Sequence, residues 1–124
     1  PHYVFGVLSE KAEALVKELE NSKSARGKVE SQLMLVLHTG DVSMDTIATK
    51  LGVSRQTLFR RLKAEDVTFE KVLDDLRHRL AFSYLSGRKA SVNETAYLVG
   101  FSDPAAFSRA FKRWTGKSPS EMRG

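Results

Sequence analysis

The side chains with the widest chemical reach cluster between residues 55 and 63: Arg55, Gln56, Phe59, Arg60 and Lys63. If this segment is helical, they share one face. With Leu58 set at 0°, Leu62 falls at roughly 40°, and the two leucines mark the inward side. Gln56, Phe59, Arg60 and Lys63 fall between roughly 100° and 200°, and Arg55 stands at the N-terminal edge of the same face. That face carries cations, an amide and an aromatic ring, and no acid. Such groups suit nucleic acid. An arginine can take guanine O6 and N7 bidentately, or phosphate oxygens, and a glutamine can pair with adenine. Phe59 has no hydrogen bond to give. It either packs on a thymine methyl or makes a satellite contact with the core.

A second segment repeats the pattern. Ser43 to Ser54 and Ser91 to Ser102 match at an offset of 48, which pairs Ala48 with Ala96 and Gly52 with Gly100. The helices that follow match at an offset of 49, pairing Leu58, Arg60, Leu62 and Lys63 with Phe107, Arg109, Phe111 and Lys112. Each copy has the grammar of a helix-turn-helix. A small residue sits where two helices cross, a glycine takes the turn, an apolar residue (Val53 or Phe101) plugs the corner, and a serine caps the second helix. One such pattern is a weak signal; two at a nearly constant offset are a strong one. The second outward face holds Ala105, Ser108, Arg109 and Lys112, with Arg113 beside it. It is acid-free but poorer in reading groups. Arg109 is its one strong base reader, while Ser108 and Lys112 suit phosphate.

The elements that must position these faces are helical throughout. Ser9–Glu20 has an apolar stripe of Ala12, Leu15, Val16 and Leu19. Asn21–Gly27 is polar and predicts a loop. Lys28–Leu37 is helical again, with Gly40 as its stop. Ser43, Ser54 and Thr68 cap three further helices. The last of these runs from Phe69 to Leu85, with Phe69, Val72, Leu73, Leu76, Leu80 and Tyr84 inward and Gly87 at its end. At about 1.5 Å per residue it spans roughly 25 Å, enough to set two reading helices near one DNA turn apart. Ser91 and Glu94 form a capping box, Asp103–Pro104 opens the next helix, Gly116 closes it, and Ser118 starts a last short turn.

Composition narrows the function classes. Among 124 residues, 20 are Lys or Arg and 15 are Asp or Glu, for a net charge of +5. Residues 1–40 are neutral on balance, so the whole excess lies in residues 41–124. That points to a polyanion partner, although a solvated surface would give the same count. There are no cysteines, which excludes a disulfide scaffold, a thiolate zinc site and a cysteine nucleophile, and is consistent with a reducing, cytoplasmic setting. No apolar run is long enough for a membrane helix. His2, His38 and His78 stand far apart and none has metal-ligand spacing. The glycines are scattered, so there is no phosphate loop. Asp74 and Asp75 are adjacent on a helix, do not face each other and read as solubilising. His78 lies in the basic run Arg77-His78-Arg79, a solvated or phosphate-facing surface. An enzyme is not expected, nor is a cofactor or metal.

The residues also resemble a known family. Gly100-Phe-Ser-Asp-Pro-Ala-Ala-Phe-Ser-Arg-Ala-Phe-Lys-Arg-Trp-Thr-Gly-Lys-Ser-Pro119, followed by Arg123, closely resembles the C-terminal signature of AraC/XylS-type transcriptional regulators. Leu51 to Leu62 resembles their first reading helix, and the Arg77, Leu80, Ala81, Tyr84, Leu85 pattern their linker helix. The resemblance covers about two thirds of the chain. It implies an all-α fold of two homeodomain-like helix-turn-helix subdomains joined by a long linker helix. By resemblance, the base-facing positions are Arg55, Gln56, Phe59 and Arg60 in the first copy, and Pro104, Ala105, Ser108 and Arg109 in the second. One departure is Asp66, where the family more often has Gly; Asp tolerates the left-handed conformation better than most residues.

The expected organisation is the end of an N-terminal sensor or dimerisation region and a linker helix over 1–24, and a first helix-turn-helix subdomain over 25–66. A linker helix over 67–86 and a second subdomain over 87–124 follow. The apolar start, Pro1–Leu8, with no initiator methionine, suggests a piece of a longer protein; a bacterial origin is what the resemblance implies. The expected function is sequence-specific binding of double-stranded DNA by a transcription regulator, an activator by family habit. The resemblance further implies RNA polymerase as a partner, a monomeric isolated domain and a dimeric full-length protein. The alternative is a helical interaction module, with the Ser9–Glu20 stripe docking a sensor domain or a partner; that stripe could equally cover the first subdomain's core.

Overall fold

The computed structural model describes residues 12–13 and 24–124. Its elements are α1 (Ala25–Val36), a 3-10 turn (Leu37–Thr39), α2 (Met44–Lys50), α3 (Arg55–Ala64), α4 (Phe69–Ser86), α5 (Val92–Leu98), α6 (Pro104–Thr115) and α7 (Pro119–Arg123). No strand occurs among the described residues. Most of the Ser9–Glu20 stripe lies outside them. Ala12 alone of its apolar positions is described, half-buried against the first core.

Local chemistry sets most helix starts. Ser43, Ser54, Thr68 and Ser91 each accept the amide of the residue three further on, at 3.0–3.1 Å. Glu94 closes the box on Ser91 with a bond of 2.9 Å to its amide, which satisfies two of the orphan donors at that helix end. The second copy departs from the expected serine cap. Asp103, not Ser102, caps α6, accepting the Ala105 amide at 2.9 Å with Pro104 in the first turn. The extra residue of the second copy is used here. The start of α1 is a second correction: residues 25–27, read as loop, are helical. Ser24 caps the Gly27 amide at 2.9 Å, and the Glu65 carboxylate accepts from Ala25 and Arg26 at 2.6 and 3.0 Å. A carboxylate from 39 or 40 residues away extends the helix backwards, and no local pattern announces it. At the other end, Leu37 lies in the 3-10 turn, and Gly40 takes the left-handed stop expected of it.

The two turns are backbone copies. Val53 donates to Ala48 at 3.0 Å and Phe101 to Ala96 at 2.9 Å; Gly52 and Gly100 donate to Thr49 and Tyr97, both at 3.0 Å. Both crossing alanines are buried. Gly52 has φ 72° and Gly100 φ 93°, which costs an L side chain about 1–2 kcal/mol. Asp66 is left-handed as expected, at φ 60°; so is Arg88, at φ 53°, one residue beyond Gly87.

Two apolar cores result. Val29, Leu33, Ile47, Leu58, Leu62, Val72 and Leu76 fill the first, and Leu37, Ala81, Leu85, Ala96, Val99, Phe107 and Phe111 the second. Helix α4 is therefore more than a spacer. Its first half walls one core, its second half walls the other, and Leu73 and Leu80 touch both.

The turns differ in one respect. A Cβ on Gly52 would meet nothing within 4 Å, whereas one on Gly100 would stand 2.5 Å from the Leu37 carbonyl oxygen and 3.1 Å from Arg77. Gly52→Ala should cost roughly 1 kcal/mol from backbone strain alone. Gly100→Ala should cost at least about 3 kcal/mol, since α5 and the 3-10 turn must move apart. Thermal unfolding of both variants checks this; equal losses would contradict it.

Candidate nucleic-acid interface

Helix α3 presents the face the sequence suggests. Leu58 and Leu62 are buried, while Arg55, Gln56, Phe59, Arg60 and Lys63 are exposed. Phe59 is 53% exposed, which removes its reading as a core contact. All five line one shallow groove between α3 and the start of α4, where Thr68 and Lys71 join them. The face is not free of acid once folded. Asp66 and Glu70 also line the groove, and Asp45 of α2 pairs with Arg55 at 3.2 Å. These acids come from other elements, so a helical wheel of α3 alone cannot show them. Arg60 donates to the Thr57 hydroxyl at 3.3 Å, and Ser54 donates to the same hydroxyl at 2.9 Å.

Helix α6 buries Phe107 and Phe111 and exposes Pro104, Ala105, Arg109, Lys112 and Arg113, with Ser108 half-buried. Arg113 reaches back to Asp74 of α4 at 3.4 Å. Both side chains are well exposed, so the pair contributes little and leaves Arg113 available. Trp114 packs against the second core.

The sequence misread the middle of α4. Asp74 accepts the Trp114 indole N–H at 3.0 Å, and His78 stacks on the same indole at 5.5 Å between ring centroids. Arg79 pairs with the buried Glu30 at 2.9 Å. Asp75 takes Arg26 and Lys71 at 3.0 and 3.1 Å. Burial works to raise the Asp75 carboxyl, but hydrogen bonds from Lys71 and Arg26 outweigh it and hold the group below its ordinary value. Arg77 donates its Nε–H to the Val99 carbonyl at 2.9 Å and lies 4.7 Å from the centroid of the Phe101 ring. Burial lowers its pKa, and Asp74 partly offsets that. Neither a solvated run nor a pair of solubilising acids describes these residues. They fasten α4 to α1 on one side and to the second repeat on the other. Only the tertiary contacts distinguish such residues from ordinary surface charges.

Among the described residues, no group of three or more His, Asp or Glu side chains could hold a metal ion, and no helix is long and apolar enough to cross a membrane.

Comparison with known proteins agrees with this geometry. A family model described as a helix-turn-helix domain matches residues 47–124. The chain is 36% identical over 115 residues to the ornithine utilization regulator of Pseudomonas aeruginosa, covering 92% of this chain and 33% of that one. It is 37% identical over 117 residues to the HTH-type transcriptional activator RhaS of Escherichia coli, covering 89% of this chain and 40% of that one. The chain thus spans a third to two fifths of the length of these relatives. A DNA-binding transcriptional dual regulator from Escherichia coli K-12 superposes with a TM-score of 0.76 at 19% identity, covering 83% of this chain and 92% of that one, a likeness of fold.

Asp74→Ala should leave the Trp114 indole without its acceptor and lower stability by about 1 kcal/mol. Trp114 is the sole tryptophan, so its emission should shift as the contact is lost. Unchanged emission and melting temperature would show that this tether holds nothing.

Proposed function

The chain belongs to the AraC/XylS family of helix-turn-helix transcription regulators, and on that premise we propose how it engages DNA. Its two repeats bind double-stranded DNA on one face, α3 and α6 entering successive major-groove segments. The observation that carries this reading is the repeat itself: two helix-turn-helix units with superimposable turn bonding, each exposing a cationic face on its second helix.

The two copies divide the work. Arg55, Gln56, Phe59 and Arg60 read bases, and Lys63 meets phosphate. In the second copy Arg109 is the base reader. Pro104 and Ala105 offer no polar group, while Ser108, Lys112 and Arg113 anchor the protein on phosphates. The first copy therefore supplies most of the direct specificity. The isolated domain acts as a monomer in the cytoplasm. In the longer protein, dimerisation and contact with RNA polymerase belong with the family's activators. No catalytic step is assigned.

Fluorescence anisotropy on a mixed-sequence duplex, repeated across salt, tests the reading. About four to six phosphate contacts should give a log–log slope of roughly −4 to −5, because each contact releases counterions. Arg60→Ala should lose roughly 1–3 kcal/mol of discrimination at one base pair, Arg109→Ala should relax preference at a different base pair by less, and Lys112→Ala should weaken all sequences evenly. No binding at low salt would overturn the DNA reading. A larger loss of preference in Arg109→Ala would reverse the division of labour.

A further inference from the structure

The two copies differ most in what surrounds their arginines. In the first, Asp45 holds Arg55 at 3.2 Å and Thr57 holds Arg60 at 3.3 Å. In the second, the position equivalent to Arg55 is Pro104, and the position equivalent to Asp45 is Asn93. The acid and the arginine disappear together. Thr57 is likewise replaced by Ala106. Asp45 itself is exposed and sits in the first turn of α2.

A carboxylate beside a DNA-facing helix repels phosphate, so an acid with no task there weakens binding. An exposed ion pair also adds little stability. The Asp45 charge in the first turn of α2 suits the helix dipole, but that contribution does not need Arg55. Its geometry fits a different role. A guanidinium has five donors in a planar fork. One carboxylate can hold one edge of the fork and leave the others pointing outward, which limits the rotamers of a long side chain before it meets a base.

We propose that Asp45 is a positioning residue for Arg55: it fixes the guanidinium for base readout and steers it away from phosphate. This rests on the DNA-binding reading above and names how one position in that interface gains its selectivity. Arg55 then acts as a base reader, and Asp45 touches no base.

The test is site selection from a randomised duplex library, followed by titration of the chosen site and its single-base variants. Wild type, Asp45→Asn, Arg55→Ala and Asp41→Asn are compared. Asp41 bonds the Thr46 hydroxyl at 3.1 Å near the same helix end, so Asp41→Asn removes an equal charge while leaving the Arg55 pair in place. Arg55→Ala should abolish preference at one base pair. Asp45→Asn should reduce preference at that same pair by about 3- to 10-fold, with the salt slope unchanged. Asp41→Asn should leave the preference as in wild type. The proposal is overturned if Asp45→Asn keeps the full preference, or tightens binding to all sequences alike, as simple relief of repulsion would. It also fails if Asp41→Asn has the same effect, or if Arg55→Ala changes no base preference. A wild-type chain that binds no duplex would instead remove the DNA reading itself, and this proposal with it.

Discussion

From the middle of α4, Arg77 donates to the Val99 carbonyl and lays its guanidinium against the Phe101 ring, both in the turn of the second repeat. Burial makes this an expensive place for a charge. The cost is offset by the carbonyl, by the ring face and by Asp74 nearby. What the contact fixes is the angle between two units that also share α4 and the packing of the 3-10 turn against the second core. Trp114, stacked on His78 and bonded to Asp74, fastens the same joint one turn away. On the first unit, Glu30 and Asp75 do the same through Arg79 and Arg26. Rigidity here matters if α3 and α6 both engage one duplex. Any slack between α3 and α6 would be lost as entropy on binding.

The joint also explains why the two turns tolerate different changes. Both glycines take a left-handed backbone for the same reason, and their bonds are alike. Only Gly100 faces another element, because the 3-10 turn after α1 and the Arg77 side chain close over it. The first turn looks into open space. Copies of one sequence pattern thus acquire different constraints from where they lie in the whole molecule.

A similar divergence separates α3 and α6. Their inward sides are equivalent pairs, Leu58 and Leu62 against Phe107 and Phe111, all buried. Their outward sides are not equivalent. The first presents two arginines, each held by a neighbour, beside an exposed phenylalanine. The second presents proline and alanines at the corresponding early positions. Core packing requires the common pattern; the outward positions are free of that requirement and can be tuned for a ligand.

The sequence by itself determined the order of the helices, most of their caps and the repeat, because these follow from rules acting within a few residues. Hydroxyl caps, left-handed glycines and apolar stripes at helical spacing all carry local signals. It also determined which face of α3 points outward, since the leucines that must be buried leave no other orientation. The tertiary structure alone decided the rest. Glu65 starts α1 from the far end of α3, Asp45 reaches Arg55, and Arg77, His78 and Asp74 leave the apparent surface to become the joint. Each of these is a contact between a polar side chain and a partner distant in the chain or on another helix. Charged side chains carry no periodic signature, since one sequence pattern serves equally for solvent and for a partner. Only the folded distances tell the two apart.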